Sequence, residues 1–246
     1  MIQSRVRIFV PFALFAGLVA VATVAASGQT GRFEIAQNGH AVGTASFQFT
    51  TTPRGYDSTS VVQVSMNGLD YALSKNEELS SANQLQHVQL SATVNGSAVN
   101  VVARPDGAQV LLNISANGRS TTTPLAGHAG AVFLPDFDPG ALETLLALAV
   151  QQNNRDLWAI IPKNAGSIEP VELATYPDQR GTLNGKPIAV HHLVATIAGT
   201  GTDLFSGPHN QLLQAELPME GFALVRKGFV LTPPKKPIAP PVTPSE

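Results

Sequence analysis

Apolar and polar residues alternate over short runs along most of this chain, and Asn-Gly or Asp-Gly separates the runs. Phe47 and Phe49 oppose Ser46 and Gln48, while Val62, Val64 and Met66 share one parity. Val88, Leu90, Ala92 and Val94 oppose His87, Gln89, Ser91 and Thr93. Successive side chains leave a strand on opposite sides, so this period of two gives each strand one apolar and one wet face. Six dipeptides punctuate the pattern: Asn38-Gly39, Asn67-Gly68, Asn95-Gly96, Asp106-Gly107, Asn117-Gly118 and Asn184-Gly185. A tight type I′ turn needs φ > 0 at both central positions, which these residues tolerate best, so each predicts a hairpin. Strands are expected over Arg32 to Ala36, Ala41 to Thr51, Ser58 to Met66, Gln86 to Val94, Ala98 to Arg104 and Ala108 to Ala116. Together they read as an antiparallel meander packed on one side.

One segment departs from this period. Asp138 suits an N-cap, Pro139 suits the first helical position, and Leu142, Leu145, Leu146, Ala149 and Val150 form an i, i+3, i+4, i+7, i+8 stripe. The spacing predicts an amphipathic helix from about Pro139 to Gln152, lying on the concave face of the sheet. Strands resume over Leu157 to Ile161, Pro170 to Tyr176, Gly181 to Leu183 with Pro187 to Ile197, Gln211 to Leu217, and Gly221 to Leu231. Ile188 to Ile197 is apolar on both faces apart from its histidines, which places it centrally in the sheet. The fold class is therefore mainly β: a curved antiparallel sheet or incomplete barrel, one domain over residues 31–231, with one helix packed on it. Residues 232–246 carry six prolines and two lysines and read as an extended, disordered tail unable to join a sheet.

The N-terminus changes the setting. Arg5 and Arg7 precede the apolar run Ile8 to Ala26, with small residues at Ala25, Ala26, Ser27 and Gly28. Residues 1–27 therefore read as an export signal cut near residues 25 to 28, which places the protein in the periplasm or outside the cell. The run is also long enough for a retained single-span anchor with the domain facing outward, the alternative reading. No cysteine is present, which excludes a lipid-modified Cys anchor and any disulfide. The chain must rely on its core, and the roughly 200 residues of the domain suffice for one. Without Arg5 and Arg7 the balance is 13 basic to 17 acidic residues, which argues against nucleic acid as a partner.

Candidate chemistry is sparse. His191 and His192 are adjacent, and in a regular strand they point to opposite faces and cannot share a metal ion. Either could act with Asp203 as a His-Asp hydrolase site, so His191, His192 and Asp203 are the candidate catalytic residues. No Gly-x-Ser-x-Gly elbow, Ser-x-x-Lys, His-Glu-x-x-His or phosphate-binding glycine loop accompanies them, and no metal or cofactor is expected. Asp136 and Asp138 flank Phe137, but capping already accounts for Asp138.

The order of elements carries a resemblance. Gly39-His-Ala-Val-Gly43-Thr44 opens the chain's strands, and Gly185-Lys-Pro-Ile-Ala-Val-His191-His192 and Thr202-Asp203-Leu204 follow the helix. Leu212-Leu213-Gln214-Ala215-Glu216 and Phe222 to Leu231 close the series. This order resembles uncharacterised exported bacterial proteins built as curved half-barrels of the lipoprotein-carrier (LolA/LolB-like) type. The resemblance implies an apolar groove under the helix and transfers no site residue. Three functions stay open: non-enzymatic binding of a lipid or other apolar ligand, a structural module docking on an envelope protein, and a hydrolase. The membrane enters only through an uncleaved N-terminal segment.

Overall fold

The computed structural model describes residues 29–232, so the expected signal segment and the proline-rich tail beyond Thr232 lie outside the described residues. An antiparallel meander runs through β1 (Thr30–Gln37), β2 (His40–Thr52), β3 (Gly55–Met66) and β4 (Leu69–Ser80). It continues through β5 (Leu85–Val94), β6 (Ser97–Asp106), β7 (Gln109–Ala116) and β8 (Arg119–Ala126). β9 (Gly130–Phe133) and the helix α1 (Pro139–Gln151) follow. The chain then returns to strands: β10 (Leu157–Ile161), β11 (Ser167–Leu183), β12 (Lys186–Ile197) and β13 (Thr200–Ser206). β14 (Leu212–Leu217), β15 (Phe222–Arg226) and β16 (Phe229–Thr232) end the series. All sixteen strands share one open sheet, ordered β8-β7-β6-β5-β4-β3-β2-β1-β15-β14-β13-β12-β11-β10-β9, with β16 on β11. The mainly β expectation, a sheet with one helix, holds.

Four of the six expected turns have both central residues at positive φ: Asn38-Gly39, Asn95-Gly96, Asn117-Gly118 and Asn184-Gly185. At Asn67-Gly68 and Asp106-Gly107 only the glycine is left-handed, yet both still join hairpins. A further tight turn at Ala198-Gly199 (φ 49° and 80°) was not expected, because alanine rarely takes that conformation. It makes Thr200–Ser206 a strand, where none was expected between Ile197 and Gln211. Pro170 to Tyr176 and Gly181 to Leu183 are likewise one long strand, β11, with a bulge between Tyr176 and Gln179. β12 lies between β11 and β13, but only Val190 and Ala195 of it are buried, so its apolar residues do not make both of its faces core.

α1 begins where expected. The Asp138 carboxylate accepts from the Gly140 and Ala141 amides at 2.9 and 3.2 Å, and Pro139 opens the first turn. Its environment differs from the stripe expected of it: every residue from Pro139 to Leu146 is buried, and only Ala147, Val150 and Gln151 face outward. Val150, assigned to the apolar stripe, is 59% exposed. The helix is wrapped by the sheet rather than laid across it, touching β1, β2, β3, β9, β10 and β14. Leu142, Leu145, Leu146 and Leu148 join Phe33, Phe47, Val62, Leu90, Leu112, Phe133 and Ile160 in the main core. A second cluster of Val190, Phe205, Leu213 and Phe229 forms where β16 turns back onto β11. Among the described residues no helix is long and apolar enough to cross a membrane.

Candidate functional site

The structure separates the two histidines as strand geometry demands. The exposed His191 meets Asp178 (Nδ1–Oδ1 3.0 Å). His192 lies on the opposite face, its Nε2 2.6 Å from Asp203 Oδ1, its ring stacked on Phe205 at 4.6 Å and tilted against Tyr176. β12 and β13 create this pair through their register, in which Val194 lies opposite Asp203 and His192 opposite Phe205. The Gln179 amide donates toward His192 Nδ1 over 3.4 Å, so Nε2–H faces the carboxylate and both ring nitrogens are engaged. That arrangement leaves no free nitrogen to accept a proton from a nucleophile, and no group of three potential metal ligands occurs among the described residues. Replacing His192 by Gln is expected to lower stability by about 1 kcal/mol, the worth of one imperfect hydrogen bond. Urea titration of the variant checks this, and a loss beyond about 3 kcal/mol would give the pair a larger structural role than one hydrogen bond.

Two buried charge networks that no sequence motif marks flank α1. On the inner face of β4, Lys75 and Glu77 sit among Leu73 and Leu79, with both charged side chains fully buried. The Lys75 ammonium is 2.8 Å from Glu77 Oε2 and 2.7 Å from Asp138 Oδ2, so Asp138 caps the helix with one oxygen and binds a lysine with the other. Ser58 and Ser60 stand opposite Glu77 and Lys75 on β3, also buried. Burial disfavours the lysine's charge, but Asp138 and Glu77 outweigh it and hold the ammonium above its usual range. Glu77 is raised because burial exceeds the help from Lys75. Asp136, by contrast, stays exposed and pairs with Lys163, so the two aspartates flanking Phe137 do not act together. Phe137 itself takes φ 57°, costly for an aromatic residue, and packs edge-on against Tyr71 and Phe222, which fixes the approach to the helix.

The second network ties α1 to the middle of the sheet. Arg226 donates to Glu143 Oε1 at 2.9 Å, to the Leu212 carbonyl at 2.6 Å and to the Thr30 carbonyl at 3.0 Å. Its guanidinium lies 5.1 Å from the Phe33 ring centroid and 5.7 Å from that of Phe47. Glu143 also accepts from the Leu212 amide and from Gln29. Burial pushes its carboxyl up to about 7 despite Arg226 and these donors. Burial likewise lowers Arg226, with Glu143 opposing.

Glu143 also forms one wall of a cavity of about 230 Å³ between α1 and the edge of β2 and β3. Phe49, Tyr56 and Ala147 supply its apolar surface, and Gln29, Asn83, His209 and Asn210 its polar rim. His209 and Asn210 both hold left-handed backbone, φ 59° and 58°, in the short turn Pro208–Asn210. On the opposite face of the sheet a wider trough of about 610 Å³ runs between β1–β3 and the β15–β16 bend. Arg32, Glu34, Val61, Gln63, Val225 and Lys227 line it. The described residues form an open sheet around a buried helix, with a small amphipathic groove beside that helix. The chain matches no family model, no curated protein and no solved structure.

Proposed function

We propose that the protein is an exported, non-enzymatic binding module that takes the apolar end of an amphiphile in the groove between sheet and helix. The observation that carries this reading is the chemistry of the 230 Å³ cavity: aromatic and methyl surface inside, amides and a histidine at the rim. Its size limits the ligand. Pockets for drug-sized molecules run to about 300–1,000 Å³, so the groove accepts one short apolar segment and leaves the remainder of the ligand outside. Two consecutive left-handed residues at the rim support the same reading, since such backbone strain gathers where a ligand is held. The cell-envelope setting rests on the N-terminal sequence.

The test is titration with the neutral fluorophore N-phenyl-1-naphthylamine, which brightens in apolar surroundings. Saturable binding at one site is expected. Replacing Ala147, a half-buried wall residue, by Trp fills the mouth and is expected to weaken binding at least about tenfold, or about 1.4 kcal/mol. Equal binding by both proteins would remove the groove from consideration. A second reading, docking on an envelope protein, is favoured by the opposite face, where Val61 is 47% exposed in the wall of the wider trough.

A further inference from the structure

The buried cluster at the start of α1 holds an amine against a carboxyl group. Lys75 Nζ lies 2.7 Å from Asp138 Oδ2 and 2.8 Å from Glu77 Oε2, and none of the three side chains is exposed. The other Asp138 oxygen, Oδ1, accepts from the Gly140 and Ala141 amides at 2.9 and 3.2 Å. Paired backbone N–H groups of this kind cap a helix, and they also stabilise an oxygen on which negative charge develops. A network that served structure alone would be saturated, because a half-satisfied one is worse than an apolar core. Here Ser58 Oγ, Ser60 Oγ and Glu77 Oε1 find no hydrogen-bond partner among the described residues, although all three side chains are buried. The cluster therefore combines a nucleophile, a polarised carboxyl group and a second carboxylate in contact with the nucleophile.

We propose that Lys75 and Asp138 condense into an intramolecular amide that ties β4 covalently to the start of α1, with Glu77 as the proton carrier. The Lys75 nitrogen bonds to Asp138 Cγ, the Cγ–Oδ2 bond breaks, and Oδ2 leaves as water. Two of the three ammonium hydrogens depart with that oxygen, and the third stays on the amide. Glu77 takes each of the two in turn from Nζ and delivers it to Oδ2, so it ends as it began. An ammonium and a carboxylate thus become a neutral amide and water, with no oxidant or reductant. During the attack, negative charge gathers on Oδ1, where the Gly140 and Ala141 amides already point. The hydroxyls of Ser58 and Ser60, opposite Glu77 and Lys75 on β3, are the first partners of the departing water.

Three effects favour the amide over the ion pair. Groups held in contact react as though present at about 10⁵–10⁸ M. The closed core excludes the water that would hydrolyse the product. Merging two buried charges also removes the desolvation that they cost. The reaction trails folding, because Asp138 and Glu77 hold the Lys75 ammonium above its usual range and leave little free amine. Newly folded protein therefore carries the ion pair, and aged protein the bond. A chain without cysteine gains in this way a cross-link that needs no redox partner.

Mass spectrometry of the full chain tests this. Folded protein kept at neutral pH for about a week is expected to weigh one water, about 18 Da, less than its sequence requires. Trypsin then leaves Lys75 uncut, and residues 55–104 are expected joined to residues 120–155 in one branched peptide. A full mass throughout overturns the proposal. So does a water loss that maps elsewhere, such as cyclisation at Asp106-Gly107, because the branched peptide is then absent. Glu77→Gln keeps the shape of the side chain and cannot carry the proton, so it is expected to slow condensation at least about a hundredfold, with folding checked by circular dichroism. An equal rate in that variant overturns the proposal. The parent chain held unfolded in urea provides a second measurement that needs no variant: condensation is expected to stop there, and an undiminished rate overturns the proposal as well.

Discussion

Replacing Lys75 by Met is expected to cost about 3–5 kcal/mol of stability, far more than a surface lysine would. Lys75 is fully buried, and its removal leaves Glu77 and Asp138 as uncompensated charges in the core. Helix nucleation suffers as well, because Asp138 holds the Gly140 and Ala141 amides while it binds the lysine. The helix start has little room to adjust: a Cβ on Gly140 would come within 2.6 Å of Ser60 Oγ. The converse substitution separates charge burial from packing. In a triple variant, Lys75→Met, Glu77→Leu and Asp138→Asn, the charges are gone together and the asparagine keeps the cap, so most of the stability should return. Urea unfolding of the three proteins decides the matter. A single variant within about 1 kcal/mol of the parent would mean that water reaches the cluster.

The Arg226→Met variant is expected to lose about 3–5 kcal/mol at pH 8 and distinctly less at pH 5. The sign follows from Glu143. Its carboxyl lies near 7 in the folded protein, above the value of about 4.3 for a free glutamate, so the folded state binds this proton more tightly than the unfolded state does. Its contribution to stability is fully present below about 4.3, falls as the pH rises to about 7, and is constant above. Removing the guanidinium withdraws the one cation that favours the ionised form, so the penalty falls on the variant chiefly where Glu143 is charged. At pH 5 the residual loss comes from the Leu212 and Thr30 carbonyls that Arg226 no longer serves and from its contacts with Phe33 and Phe47. Denaturant titrations at the two pH values provide the comparison. An equal loss at both would show that the ion pair contributes nothing through ionisation.

The sequence made the meander legible because each strand has one wet face and most turns carry a residue suited to φ > 0. Where the turn chemistry was weaker, strands went unread: Ala198-Gly199 hid β13, and with it the alignment that brings Asp203 to His192. β4 was missed for a different reason. Leu73, Lys75, Glu77 and Leu79 share one parity, so two charges interrupt what would otherwise read as an apolar face. That parity was the available signal for the buried cluster, and it means little until a counter-charge is known to arrive from Asp138, more than sixty residues later. Glu143 posed the same difficulty. It sits inside the leucine-rich helix, and its partner Arg226 lies at the end of an ordinary strand. The cavity was legible only as an expectation of a groove, since its rim comes from Gln29, Asn83 and the Pro208–Asn210 turn, segments with no common sequence pattern.

The position of β1 has a consequence for the order in which the molecule is assembled. β1 pairs on one side with β2, its nearest neighbour in sequence, and on the other with β15, where Phe33 lies opposite Arg226. The first eight strands are hairpin-linked and can zip together as they emerge, whereas β1 must wait for nearly the whole chain before its second edge is covered. Long-range pairing of this kind slows folding, because loop entropy is lost before the contacts repay it. During that wait the half-built sheet presents an apolar inner face without its helix and an open strand edge, the features that make an intermediate prone to stick to others. Arg226, arriving with β15, is thus both a late stitch and the moment at which the nascent protein stops being adhesive.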